Sequence, residues 1–105
     1  MPKINPFHFS GELALGMRAS VTCAVIFGDP PFKFEWFKDN SKLQDSQRIS
    51  LRKIDEFTFN LVIEKVDADS NGNFTCRVSN ANGHDEKSAL LSIKGISLNG
   101  FNYNN

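Results

Sequence analysis

The amino-acid sequence predicts an all-β fold in which two antiparallel β-sheets pack face to face. Three observations predict it. Short runs with an apolar residue at every second place recur along the chain at regular spacing, and no run carries the period of an amphipathic helix. Both cysteines of the chain, Cys23 and Cys76, lie on the apolar side of such runs. The single tryptophan, Trp36, lies on the apolar side of a third run between them, so three strands converge on one point.

Taken in order, Lys3 to Phe9 is an extended opening strand, which Pro6 confines to a sheet edge because it lacks an N–H for the ladder. Gly11 lets the chain bend towards the other sheet, Glu12 to Leu15 continues it, and Gly16-Met17 turns. Arg18 to Phe27 alternates with Ala19, Val21, Cys23, Val25 and Phe27 inward. Gly28-Asp29-Pro30-Pro31 is dense in breakers and forms a loop. Phe32 to Lys38 places Phe32, Phe34 and Trp36 inward, and Asp39-Asn40 is a turn by residue type. Lys42 to Gln44 makes a short edge strand and Asp45-Ser46-Gln47 a loop. Arg48 to Lys53 and the Phe57-Phe59-Leu61-Ile63 run form a pair of strands joined at Asp55-Glu56. Lys65 to Asn71 crosses between sheets with Val66 as an apolar plug, Asn73 to Asn80 carries the second cysteine, and Ser88 to Lys94 is the last strand, with Ala89, Leu91 and Ile93 inward.

With 105 residues, no internal repeat and 40% hydrophobic content, the chain is sized for one domain with its own core. Twelve basic and twelve acidic side chains cancel, so the electrostatic footprint of a nucleic-acid or anionic-membrane binder is missing. No apolar run reaches the length of a membrane span. Met1-Pro2-Lys3 leads straight into strand-like sequence, without the pattern of a signal peptide, and is expected to start a domain cut from a longer protein. The domain is expected over residues 1–95. Residues 96–105, rich in asparagine and free of charge, are expected to be a linker or cloning remnant whose Ile96, Leu98, Phe101 and Tyr103 pack on this molecule or a neighbouring one.

The segment Ser70-Asn71-Gly72-Asn73-Phe74-Thr75-Cys76, the Cys23…Trp36…Cys76 spacing and the Asn80-Ala81-Asn82-Gly83 turn together resemble the I-set of the immunoglobulin superfamily, across nearly the whole chain. That resemblance implies a Greek-key sandwich with one inter-sheet disulfide, Cys23–Cys76, against which Trp36 packs, with Phe74 beside it in the core. A disulfide also suits two inward cysteines on different strands and an oxidising compartment; the alternative is a reduced core pair, as in the immunoglobulin domains of muscle filaments. One departure stands out. Phe74 and Ser70 occupy the places where the family usually has tyrosine and aspartate, so the hydrogen bond of the tyrosine hydroxyl is expected to pass to Ser70 or to water.

Lys3-Ile4, Pro6-Phe7, Phe9, Val21-Thr22-Cys23, Val25, Gly28-Asp29, Pro31 and Phe34-Glu35-Trp36 further resemble the variable immunoglobulin domains of arthropod Down syndrome cell adhesion molecule, the seventh above all. The resemblance implies an alternatively spliced neuronal and immune receptor, located outside the cell in the ectodomain of a single-pass membrane protein. It also implies homophilic pairing, antiparallel and face to face, through the sheet of the A, B, E and D strands, with neighbouring immunoglobulin domains of the parent chain as further partners. The residues so presented are Thr22, Ala24, Ile26, Arg52, Ile54, Thr58, Asn60, Val62 and Glu64. In a two-fold pair, Arg52 is expected to meet an acid of its twin such as Glu64, with Ile26 and Val62 desolvated near the centre. Two rival readings are a tandem structural module of a giant muscle protein and a heterophilic receptor domain using Phe37 on the opposite sheet.

Chemical motifs are weak by comparison. Asp67-Ala68-Asp69-Ser70-Asn71-Gly72 begins like a calcium-binding loop but puts Val78 where a bidentate glutamate is required. Cys23, Cys76, His8 and His84 lack the close ligand pairs of a zinc site. Core thiols are poor nucleophiles, and the carboxylate pairs Asp55-Glu56 and Asp85-Glu86 are placed in turns, as solvated charge. No enzyme, cofactor, metal, nucleic-acid partner or small-molecule substrate is expected. Asn73-Phe74-Thr75 is a sequon, with Asn73 facing outward as a candidate N-glycosylation acceptor.

Overall fold

The computed structural model describes residues 1–93; the tail at 96–105, with the contacts expected of it, and Lys94 of the last predicted strand lie outside the described residues. Eight strands are present among the described residues: β1 (Lys3–Ile4), β2 (Ala19–Phe27), β3 (Lys33–Lys38), β4 (Ser41–Lys42), β5 (Ile49–Asp55), β6 (Thr58–Ile63), β7 (Gly72–Asn80) and β8 (Gly83–Leu91). One turn of 3-10 helix, Ala68–Ser70, interrupts the crossing segment before β7. All pairings are antiparallel and make two four-stranded sheets, β1-β2-β6-β5 and β4-β3-β7-β8, the two-layer sandwich that the alternation predicts.

The sheets are pinned at their centre. Cys23 on β2 and Cys76 on β7 form a disulfide with Cα atoms 6.3 Å apart, and Trp36 pairs directly across from Cys76 in the β3–β7 ladder. Trp36, Phe74, Leu61, Val78 and both cysteines are sealed from solvent. Phe7 meets the indole edge-on at 5.4 Å and Phe9 meets Phe74 at 5.3 Å, geometries that aromatic quadrupoles favour. The opening segment thus contributes more through its rings than through its ladder. Its strand ends at Ile4 because Pro6 cannot donate, although the Asn5 N–H still reaches the Ala24 carbonyl.

Several boundaries differ from the expected ones. Asp39 and Asn40 both have positive φ, so the β3–β4 connection is a two-residue loop of the mirror-image type that matches strand twist, and β4 begins one residue early, at Ser41. The strand β5 runs on to Asp55, with Ile54 as the extra residue of a bulge between Lys53 and Asp55. Its turn therefore falls on Glu56-Phe57. Phe57 is partly exposed but stacks edge-on with Phe32. Phe27, expected inward, is 68% exposed; β2 carries it past the end of the core, where only β1 pairs with it. Gly28 follows with φ +123° against Pro2, whose Cα would stand 2.9 Å from an added Cβ, so only glycine fits there.

The last strand is the largest correction. It starts at Gly83 and not at Ser88, so His84, Asp85 and Glu86 are ladder residues paired with Ser79, Val78 and Arg77. Asp85 ties the two sheets together, because its carboxylate accepts the Ile4 N–H at 2.8 Å as well as the Glu86 N–H at 2.9 Å. Burial raises its pKa, but those two N–H donors and Lys87 outweigh burial and hold it below the ordinary carboxylate value. A depressed folded pKa contributes stability that is complete above the unfolded value, about 3.9, and is lost as pH falls through the lower folded one. Asp85→Asn is expected to cost about 1 kcal/mol at pH 7, and the gap to wild type should narrow as pH falls from 7 to about 3. Urea melts at the two pH values measure it, and a gap that persists in acid would show that the carboxylate charge is not the cause.

Candidate interaction faces

The first candidate face is the outer surface of β1-β2-β6-β5. Alternation along β2 and β6 sends even-numbered residues outward, and the register brings Thr22 opposite Asn60 and Ala24 opposite Thr58, while Arg52 on β5 lies opposite Asn60 from the other side. Thr22, Ile26, Arg52, Ile54 and Glu64 are exposed, and Ala24, Thr58 and Asn60 are partly covered. Ile26 and Ile54 are each 58% exposed, an unusual position for two branched apolar side chains on one sheet surface. The Asn60 Oδ1 atom is buried without a hydrogen-bond partner.

Two of the nine expected residues do not serve the face as expected. Val62 is only 6% exposed. It sits on a central strand between Ser20 and Ser50, with neighbours on both sides, so it is part of the packed structure and not of a contact surface. Glu64 is already engaged by Arg18 at 3.3 Å, and beside that pair Arg48 grips Asp67. An acid held by its own chain is a poor partner for Arg52 of a twin.

The second candidate face is the outer surface of β4-β3-β7-β8. A shallow groove there is lined by residues including Glu35, Phe37, Asn73, Arg77 and Glu86. Its charges are matched internally: Arg77 meets Glu86 at 2.9 Å, Lys42 meets Glu35 at 3.3 Å, and the Thr75 and Ser88 hydroxyls share a hydrogen bond at 2.6 Å. Phe37 is half-buried against this surface, so it offers less than expected. Asn73 is exposed, with its N–H bonded to Asp39 Oδ1. Sequence reasoning missed Leu90, which is 68% exposed beside Asn73 in the ladder. The alternation of Ala89 and Leu91 carried that signal.

The motif at 67–72 is structural. Asp67 caps the 3-10 turn by accepting the Asp69 N–H, while the Ser70 hydroxyl accepts the Asp67 N–H at 3.0 Å. Ser70, expected to stand in for the missing tyrosine hydroxyl, therefore spends its bond within its own turn, and Phe74 fills the corner by packing. No group of acids, histidines and cysteines among the described residues is arranged to hold a metal.

The chain matches the model of the immunoglobulin I-set domain over residues 2–93. It is 37% identical over 93 residues to cell adhesion molecule Dscam2 of Drosophila melanogaster, covering 89% of this chain and 4% of that protein. It is 32% identical over 93 residues to cell adhesion molecule DSCAM of Homo sapiens, again covering 89% of this chain and 4% of that protein. The chain is thus a small part of the length of either relative. Among solved structures, the Dscam1 Ig7 domain, isoform 5, superposes with a TM-score of 0.85 at 28% identity, covering 89% of this chain and 96% of that one. An I-band fragment of titin reaches 0.80 at 32% identity, covering 89% and 32%.

Proposed function

This chain belongs to the immunoglobulin I-set family, and on that premise we propose that it is a cell-adhesion domain which recognises a second copy of itself through the outer face of β1-β2-β6-β5. The observation that carries this reading is the pair of exposed isoleucines, Ile26 and Ile54, on one sheet surface whose central strands present threonine, alanine and asparagine. Uncharged central strands beside exposed apolar groups are the composition of an interface centre. Around Phe37 on the opposite face, Arg77 and Glu86, and Lys42 and Glu35, are matched in cis, which weakens the case for a heterophilic site at Phe37. Similarity to adhesion molecules along 89% of the chain supports the same class. A sandwich that binds through its surfaces functions without catalysis. It acts outside the cell, in the ectodomain of a membrane receptor, flanked by further immunoglobulin domains of the parent chain; a glycan on Asn73 would cover the second face and leave the first bare.

Likeness to a titin fragment at 32% identity favours a second reading, a load-bearing module in a tandem array. Association separates the two. Ile26→Asp places a charge on the proposed centre without touching the core, so it should leave the unfolding midpoint unchanged and weaken self-association at least about tenfold. Sedimentation equilibrium over a concentration series reads this, and equal association of variant and wild type would exclude this face.

A further inference from the structure

On the outer surface of β4-β3-β7-β8, an unbonded amide and a bare apolar side chain stand side by side. The Asn73 N–H donates to Asp39 Oδ1 and the Asn73 carbonyl accepts the Asp39 N–H, each at 2.9 Å. Both backbone groups therefore point towards the β3–β4 turn, and the side chain is held outward. It is exposed, and its amide has no hydrogen bond among the described residues. Leu90 stands across from it in the β7–β8 ladder. Because the Asn73 backbone is turned to Asp39, this is a non-hydrogen-bonded pair, the kind in which side chains stand closer. Leu90 is 68% exposed on β8, the last strand of its sheet. The next row, Thr75 with Ser88, is small and uncharged, and beyond it Arg77 and Glu86 satisfy each other. The surface around the amide is thus low, and its charges need no partner from outside.

Asn73-Phe74-Thr75 carries the acceptor pattern for an N-linked glycan. On the extracellular placement proposed above, and independently of self-association, we propose that Asn73 is glycosylated and that the first N-acetylglucosamine lies over Leu90, with its acetamido methyl against the leucine. In the transfer, the Asn73 amide nitrogen bonds to C1 of the sugar while the bond from C1 to the diphosphate of a lipid-linked oligosaccharide breaks. The lipid diphosphate leaves with the electron pair, and the amide proton passes to a base of the transferase. In the fold Phe74 is sealed and the Thr75 hydroxyl is bonded to Ser88, so the acceptor is read before β7 and β8 close. Covering Leu90 takes apolar surface out of water. A glycan rooted there also screens the groove at Phe37 and leaves the β1-β2-β6-β5 face open.

Secretion of the chain from insect cells behind a leader tests this, with mass spectrometry of the peptide that contains Asn73. A glycan on that peptide is expected, and Thr75→Ala, which keeps the asparagine but removes the acceptor pattern, should abolish it. Trimmed to one N-acetylglucosamine, the protein should unfold at a higher urea midpoint than the unmodified chain refolded from bacteria, and Leu90→Ser should remove at least about half of that rise. Secreted, disulfide-bonded protein with bare Asn73 would overturn the inference and leave the adhesion reading in place. An occupied site with no rise, or with a rise that Leu90→Ser leaves intact, would overturn the packing on Leu90. An occupied site in a chain whose association survives Ile26→Asp would sink the self-association reading and leave this one standing.

Discussion

Replacing Cys23 and Cys76 together by alanine is expected to lower the free energy of unfolding by about 4 kcal/mol. The two residues are 53 apart in sequence, and opening a loop of that length returns about 4 kcal/mol of chain entropy to the unfolded state in the loop-closure model. Domains of this kind are stable by only about 5–15 kcal/mol in total. The variant should therefore melt roughly 15–30 °C below wild type. Both sulfurs are fully buried beside Trp36 and Phe74, so the vacated space adds to the loss. Thermal and urea unfolding of the oxidised protein, the reduced protein and the variant check the value. A loss under about 1 kcal/mol would mean that the sheets hold through packing alone, and would favour the tandem-module reading over the adhesion one.

Val62→Asp is expected to destabilise the fold by about 5–6 kcal/mol at pH 7, in contrast to Ile26→Asp, which should leave it intact. The two sites lie on one sheet and share an outward phase, yet Val62 is 6% and Ile26 58% exposed. Aspartate at position 62 must either bury its charge or take up a proton, and holding a carboxyl neutral at pH 7 costs about 4 kcal/mol when its free pKa is near 3.9. Loss of the buried valine adds roughly 1–2 kcal/mol. The folded pKa of such a carboxyl lies above its unfolded value, so the protonation penalty should shrink as pH falls and vanish below about 4. Urea midpoints for both variants at pH 7 and pH 4 give the answer; equal midpoints at pH 7 would place Val62 at the surface.

Much of the architecture is local in origin. Strand phase follows from which side of the chain is apolar, and so Cys23, Trp36, Cys76 and Val78 could be assigned to the interior one residue at a time. The errors arise where phase stops reporting burial. Phe27 has the inward phase but stands beyond the covering strand, and Val62 has the outward phase but lies among neighbours on a central strand. His84 to Glu86 read as a turn because charged residues there imitate a solvated connection, although pairing with Arg77, Val78 and Ser79 makes them a strand. Propensity is a weak guide when a long partner strand already offers its hydrogen bonds.

The contact face shows the same division. Its small, uncharged character could be read from Thr22, Ala24, Thr58 and Asn60, because alternation alone names the residues of an outer surface. Which charges on it remain free could not, because Glu64 is removed from the list by Arg18, a residue 46 positions away, and no local pattern specifies that meeting. The order of amino acids by itself determined the class of fold, the interior pin of two cysteines and a tryptophan, and the two faces available for recognition. Only the tertiary structure decided how far each strand runs, which outward residues are covered and which charges are spent, since those depend on neighbours that the chain brings together from distant places.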